Sequence, residues 1–397
     1  MYLPTSRGFD EYCGIPFSQD MGTSFWQPTG KPVFQPTPLP VLNGTAIVEQ
    51  PAGLHTLVAR YVAFAEDFIA RAAAANEPFY LYVPFNHVHA PNSCGAAWCG
   101  KASRGPVGDA VEETDWAVGQ IMAALKAHGV DQNTLTFFSS DNGAPLGKPD
   151  GSGRSDFFGN LPLRGGKTMV WEGGVREPGI VRWPGKIAAG SVNTDAIVST
   201  LDIHPTLLGL ANVALPTDRV IDGIDLMPIL TAKSDAKGHD CFFVYRAAAA
   251  VNASGELFGV RCGDHKAYYA TNGVAPPKPF RPGKQDPPLL FNLVKDPGEN
   301  HPLDSSGAEY KAALATIDAA KARHLATITP VPDQNGRGSS SAFALCENPE
   351  SARVYPHLPN CTSNPENWRP ASICASKACL KANPAFSAEC KKKEQQD

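Results

Sequence analysis

The 397 residues predict an α/β fold: a mostly parallel sheet flanked by helices, then a smaller α+β domain and a cysteine-rich tail. Three observations carry this expectation. Between Phe79 and Ser140 an apolar run, an amphipathic stretch and a second apolar run follow one another, the order of a βαβ unit, whose right-handed crossovers build parallel sheets. Beyond Leu230 short apolar runs alternate with turn residues, the mark of a small antiparallel sheet. Hydrophobic residues make up 43% of the chain and charged residues 19%, a composition that supplies a sizeable core and argues against global disorder.

The elements follow in order. The first fifty residues are rich in Pro and Gly and read as loop. Tyr61, Ala65, Phe68 and Ile69 recur at helical spacing and predict a helix over Leu57–Ala75, which Pro78 ends. Phe79–Phe85 reads as a buried strand from its length and aromatic content, despite Pro84. The next helix takes Asp109 as its cap and Glu112 as capping-box partner. Val111, Val118, Ile121, Met122 and Leu125 form its apolar stripe, and Gly129 stops it. Leu135–Ser140 is a second strand, Gly179–Trp183 a third, and Asp202–Ala211 a further helix. Cys241–Tyr245, Leu257–Arg261 and Lys266–Ala270 are the expected antiparallel strands, and Ala308–Thr327 an Ala-rich helix. The domains then run 1–230, 231–345 and 346–397, with no internal repeat.

Charge and composition exclude some classes of function. Lys+Arg number 35 against 39 Asp+Glu, a net charge of −4, so no strongly basic surface is available for nucleic acid. No run of eighteen apolar residues occurs, which excludes a membrane-spanning helix. Five of the ten cysteines (Cys346, Cys361, Cys374, Cys379 and Cys390) crowd the tail and read as disulfide staples. Sequons begin at Asn43, Asn252 and Asn360, glycosylation acceptors that point, with the cysteines, to a lysosomal or secreted protein. The amino terminus shows no basic segment followed by an apolar one, so the expectation is that a signal peptide and more have been lost upstream.

Ligands of open parallel sheets bind outside the carboxyl ends of the strands, and two polar clusters fall there. Asp141-Asn142-Gly143 offers two hard oxygen ligands suited to Ca2+ or Mg2+; read as an ordinary turn, Asn-Gly explains the same residues. His87 and His89 alternate along an extended segment and point to opposite sides, so they do not chelate one ion, and one of them faces a cleft. His89 is the favoured one, although spacing alone does not choose it. A third cluster, Arg164-Gly-Gly-Lys167, lies in a Gly-rich loop. It fails as a phosphate-binding P-loop because Leu161 stands where the first glycine belongs, which leaves Lys167 as a point charge for an anionic oxygen or as a solvated lysine. Cys94 and Cys99 read as a small disulfide loop, His204 as structural, and Asp195, Asp202, Asp222 and Asp225 as caps and turn formers.

At these residues the chain resembles the type I sulfatases, nearest the branch of arylsulfatase A and N-acetylgalactosamine-6-sulfatase. The matching stretches are Gly8-Phe-Asp-Glu-Tyr-Cys-Gly-Ile-Pro16, Pro78-Phe-Tyr-Leu-Tyr82 with His87-Val-His89-Ala-Pro91, and Gly108-Asp-Ala-Val-Glu112. They continue with Ser139-Ser-Asp-Asn-Gly143, Leu163-Arg-Gly-Gly-Lys167, Trp171-Glu-Gly-Gly-Val-Arg-Glu-Pro178 and Asp296-Pro-Gly-Glu-Asn300. The resemblance implies an alkaline-phosphatase-like fold and hydrolysis of sulfate esters, whether small aryl sulfates or sulfated glycans and glycolipids. It implies Asp141 and Asn142 as ligands of Ca2+ or Mg2+, His89 as the histidine at the sulfate ester and Lys167 as the lysine on its oxygens. A homodimer is the assembly it suggests.

The departures are as informative. The family's formylglycine nucleophile arises from a cysteine in a Cys-x-Pro-Ser-Arg motif, and that string is absent, as are an Asp-Asp pair of metal ligands and a Gly-Lys-Trp-His segment. Gly165 stands where relatives carry a disulfide cysteine. An amino-terminally truncated sulfatase accounts for the missing motifs together, and little activity is then expected, because a divalent cation takes about six or more oxygen ligands and no covalent route remains. The competing readings are a phosphodiesterase-like member of the same superfamily and a non-catalytic protein that binds sulfated glycans.

Overall fold

The computed structural model describes residues 3–22, 39–50, 52–146, 160–232, 236–246, 256–272 and 282–329. The tail cysteines and the sequons at Asn252 and Asn360 lie outside the described residues. The chain divides into two compact units, Met1–Asp131 and Gln132–Gly336.

The first unit opens with a three-stranded antiparallel sheet of β1 (Cys13–Gly14), β2 (Val41–Asn43) and β3 (Ala46–Glu49), where loop was expected. Asn43 is exposed at the tip of the β2–β3 hairpin. Helix α1 (Leu57–Ala75) has the expected bounds and ends at Asn76, which takes the left-handed conformation. Its buried stripe packs on α2 (Gly105–Ala127): Val58 and Val62 meet Ala117, and Ile69 meets Ala124 and Leu125. Asp109 is not the cap of α2, which starts four residues earlier with Pro106 in its first turn. Its buried carboxylate instead accepts the N–H groups of Gly100, Lys101 and Ala102 at 2.7, 3.0 and 2.8 Å. That ties down the loop closed by the Cys94–Cys99 disulfide.

Phe79–Phe85 runs extended but pairs with no strand among the described residues. Phe79 and Leu81 pack beneath α1 and α2, while Tyr80 and Tyr82 are 53% and 63% exposed. The segment therefore buries one face, not two. Length and aromatic content specify an extended backbone; they do not specify its ladder partner.

In the second unit β4 (Thr136–Ser139) pairs with β5 (Gly179–Arg182), Ser139 opposite Gly179 and Thr136 opposite Arg182. This pairing is antiparallel, and no parallel ladder forms among the described residues. The single turn α3 (Glu172–Val175) precedes β5, and α4 (Ile203–Leu210) and α5 (Met227–Leu230) follow it. Asp202 caps as expected, in a capping box with Ser199, and also receives His239 Nε2 at 2.7 Å.

A four-stranded antiparallel sheet follows in the order β6 (Cys241–Arg246), β7 (Glu256–Cys262), β8 (His265–Thr271) and β9 (Gly283–Asn292). Cys241 and Cys262 are paired in register and joined by a disulfide. Three of these strands were expected; β9 was hidden by Pro287-Pro288, which its edge position tolerates. Successive residues of β8 face opposite ways: Ala267 packs toward α6 (Ala308–Thr327) with Ile317 and Ala320, and Tyr268 toward Val170 and Trp171. The Gly-rich loop before α3 is thus part of a core.

Candidate active site

Asp141 and Asn142 occupy the turn just past the carboxyl end of β4. Gly143 N–H donates to Gly174 O at 3.2 Å, and a Cβ at Gly143 would stand 1.8 Å from Gly173 O, so only glycine allows this approach. Lys167 N–H donates to Ala144 O at 3.0 Å. Asn160 staples the two loops, accepting from Ala144 N–H at 3.1 Å and donating to Ala144 O and Gly165 O at 2.8 and 3.0 Å. The sequence-predicted Asp141, Asn142 and Lys167 therefore stand on adjoining backbone. Gly165 has φ +73°, and a Cβ there would press on Trp171 at 3.0 Å, which accounts for glycine at that position.

The two cations of the loop part company. Arg164 turns inward and is 2% exposed; its Nε donates to Glu299 O at 2.8 Å, an Nη to Asn300 Oδ1 at 2.9 Å, and its guanidinium lies 5.3 Å from the Trp171 ring centre. Burial pulls its pKa down, against the pull of Glu299 and Asp296. At the loop's far end Glu172 is buried with Lys266, Oε1 to Nζ at 2.7 Å, and Lys266 also donates to Val170 O at 3.2 Å. Glu172 N–H donates to Glu299 Oε2 at 2.8 Å, and Tyr268 Oη donates to the other oxygen of Glu299. Burial alone would raise the Glu172 pKa, but Lys266 and then Arg261 and Arg176 more than reverse it, and it lies below the usual range. Glu299, raised by burial and by the nearby Glu172 charge in spite of Lys266, lies above it. Lys167 belongs to neither set and stays half-buried.

A second carboxylate stands near Asp141. Glu177, two residues before β5, lies close enough to Asp141 for their charges to interact. Burial raises the Glu177 pKa; a hydrogen bond from Ser140 opposes this and the Asp141 charge adds to it. Glu177 Oε1 is buried without a hydrogen-bond partner. No group of three or more His, Cys, Asp or Glu side chains is arranged as a complete metal cluster among the described residues. The hard oxygens of Asp141 and Asn142, beside an orphaned carboxylate oxygen, nonetheless fit a Ca2+ or Mg2+ ion as part of its shell.

His89 belongs to the first unit. Its Nδ1 donates to Ala90 O at 2.6 Å, since a carbonyl only accepts, and Nε2 is the nitrogen left for chemistry. Gln19, 1% exposed, fixes this segment: it donates to His89 O and to Pro91 O, the latter at 3.2 Å, and accepts from Asn86. His87 is the structural member of the pair, buried with its Nε2 3.0 Å from Glu113 Oε2, which also accepts Gly95 N–H at 3.0 Å. Gln19, Asn160, Glu177, Lys266 and Glu299 were not foreseen from the sequence. Only Glu177 and Glu299 carried a signal, as members of the Trp171–Pro178 and Asp296–Asn300 motifs.

Known proteins are similar to this chain along most of its length. Residues 2–213 match the family profile Sulfatase, and residues 237–363 the C-terminal region of aryl-sulfatase. Arylsulfatase A of Bos taurus is 35% identical over 92% of this chain and 73% of its own length. Steryl-sulfatase of Rattus norvegicus is 37% identical over 72% of this chain, which spans about half, 52%, of that relative. The crystal structure of PsFucS1 sulfatase from Pseudoalteromonas sp. superposes with a TM-score of 0.70 at 28% identity, covering 82% of this chain and 67% of that one. The fold is that of solved sulfatases, mixed helix and sheet with a C-terminal antiparallel sheet, and the relatives support the sulfuric ester hydrolase class by family. The chain belongs to the sulfatase family.

Proposed function

We propose that the chain recognises sulfate esters, of aryl sulfates or of sulfated sugars and glycolipids, through Lys167, with Asp141 and Asn142 holding a Ca2+ or Mg2+ ion, and that His89 is its candidate proton donor. One observation supports this above the others: the hydrogen bond from Lys167 N–H to Ala144 O, which keeps the lysine beside the Asp141-Asn142 turn. Hydrolysis breaks an S–O bond, so negative charge on the sulfuryl oxygens must be met while the departing oxygen gains a proton. Lys167 supplies a cation to the sulfuryl oxygens. His89 has Nδ1 committed to Ala90 O, which leaves Nε2 as the nitrogen that could take up and pass on a proton. The divalent ion, when bound, supplies Lewis-acid charge. The 397 residues contain no Cys-x-Pro-Ser-Arg string, so binding without appreciable turnover is the expected behaviour of this chain.

Titration with CaCl2 and 4-nitrocatechol sulfate tests the reading. Calcium at about 100 Kd should raise stability by about 2.7 kcal/mol, Asp141→Ala should abolish that gain, and Lys167→Ala should abolish aryl sulfate binding. Turnover well above buffer overturns the expected inactivity; a calcium gain untouched in Asp141→Ala overturns the metal assignment. Asn43, exposed on its hairpin, supports passage through the secretory pathway to a lysosomal or extracellular destination. Loss of a glycosidase-sensitive mass in Asn43→Gln, expressed in secretory cells, checks it. No helix among the described residues is long and apolar enough to cross a membrane.

A further inference from the structure

A cavity of about 630 Å3 opens next to the Lys167 loop, a volume within the range of roughly 300–1,000 Å3 typical of small-molecule sites. We infer that it is a subsite for an acidic sugar, the portion of a sulfated glycan adjoining the sulfated group. The inference rests on the sulfate-ester reading and narrows it.

The cavity begins at Thr168, the residue after Lys167, and runs to Arg246, Glu256, Phe258 and Lys284 on the antiparallel sheet. Thr168 is β-branched yet has φ +71°, a conformation that costs energy and persists only where neighbours enforce it. Asn272, 8% exposed and also lining the cavity, enforces it by donating to Thr168 O and accepting from Val170 N–H at 3.0 Å. The wall nearest Lys167 is therefore held in a set shape.

The charges are arranged for a ligand more than for each other. Arg246 and Glu256 are cross-strand partners in register, yet no ion pair joins them, and Lys284 has none either among the described residues. The Arg246 guanidinium instead rests 5.8 Å from the Phe258 ring centre, leaving its N–H edges for an acid. Among the described residues, two cations against one carboxylate leave the lining net positive. A carboxylate or second sulfate on a sugar meets Arg246 and Lys284, and sugar hydroxyls meet Glu256 and Thr271. A sterol-like aglycone would strip water from three charges and return no hydrogen bond, so the lining disfavours an apolar substrate.

Calorimetry on the full chain in excess CaCl2 tests this, with a sulfated, uronate-containing disaccharide, 4-nitrocatechol sulfate and inorganic sulfate as probes. The disaccharide should bind about tenfold more tightly than either other probe, the factor equivalent to about 1.4 kcal/mol. In Arg246→Gln/Lys284→Gln it should fall to the affinity of the aryl sulfate; Lys284→Gln alone, in an exposed position, serves if the double variant melts early. Equal affinity for disaccharide and aryl sulfate, or a disaccharide affinity untouched by these variants, overturns the subsite and leaves the sulfate-ester reading standing. Disaccharide binding that is lost in the variants while aryl sulfate never binds supports the subsite and overturns that reading. Binding of no probe overturns both.

Discussion

Replacing Lys266 with methionine should destabilise the second unit by about 3–5 kcal/mol, the range for removing one partner of a buried ion pair. The Lys266 and Glu172 side chains are 1% and 4% exposed, and their 2.7 Å contact is the shortest ion pair Glu172 makes, with Arg261 at 3.8 Å. Methionine fills most of the lysine stem, so a cavity contributes little and the loss falls on the stranded carboxylate. That origin makes the effect separable. Adding Glu172→Gln removes the stranded charge, and Lys266→Met/Glu172→Gln should recover to within about 1.5 kcal/mol of the parent, the scale of a single neutral hydrogen bond. Urea titration followed by tryptophan fluorescence measures all three chains, Trp171 reporting from the same core. A Lys266→Met variant within about 0.5 kcal/mol of the parent, the usual spread of harmless surface changes, would refute the reasoning. So would a double variant less stable than the single one, because the penalty would then lie in packing.

The same network sets a pH dependence of two signs. Glu299 has a raised pKa, so its contribution is full below its ordinary value of 4.5 and declines as pH rises through the folded value; Glu299→Gln should flatten the loss of urea midpoint on the alkaline side. Glu172 has a lowered pKa, so its contribution is present above 4.5 and lost as pH falls through the folded value; Lys266→Met should flatten the acid side. Unchanged profiles in both variants would dissociate these carboxylates from stability. Gly143→Ala, which sets a methyl 1.8 Å from Gly173 O, should cost about 3 kcal/mol, the upper end of ordinary overpacking, and weaken aryl sulfate binding along with the melting temperature. A melting temperature equal to that of the parent would show that the loop accommodates the methyl.

The helices were legible because their cause is local. The stripe from Tyr61 to Ile69 and the Pro78 stop mark α1, and the Ala-rich Ala308–Thr327 bounds α6 equally well. Ladder partners were not legible. Nothing in Thr136–Ser139 says that it meets Gly179–Arg182 antiparallel, since strand pairing is decided by contacts distant in sequence. Asp109 misled for a related reason: a carboxylate ahead of an apolar stripe reads as a cap, and only the folded loop shows three amides from residues 100–102 waiting for it. Asp141, Asn142 and Lys167 were singled out by the motifs that carry the resemblance, since as isolated residues a turn and a solvated lysine explain them equally well. Lys266 is the second residue of β8, between His265 and Ala267, where the sequence offers no reason to suspect a buried ammonium.

Arg164 and Lys167 show how the fold sorts like charges within one short loop. A guanidinium presents several donors in a plane, so it can be buried if carbonyls and an aromatic face surround it, as Glu299 O, Asn300 and Trp171 surround Arg164. An ammonium is more strongly hydrated, and burial of Lys266 required a full carboxylate, Glu172, plus a carbonyl. Among the described residues no such set faces Lys167, whose backbone is nonetheless fixed by Ala144 O on one side and by the Asn272 clamp at Thr168 on the other. The loop thus spends its buried polar partners on Arg164 and Glu172 and leaves one positioned cation to the surface. A tetrahedral anion bound as proposed would meet there a rigid backbone under a charge whose own hydrogen bonds no described residue claims.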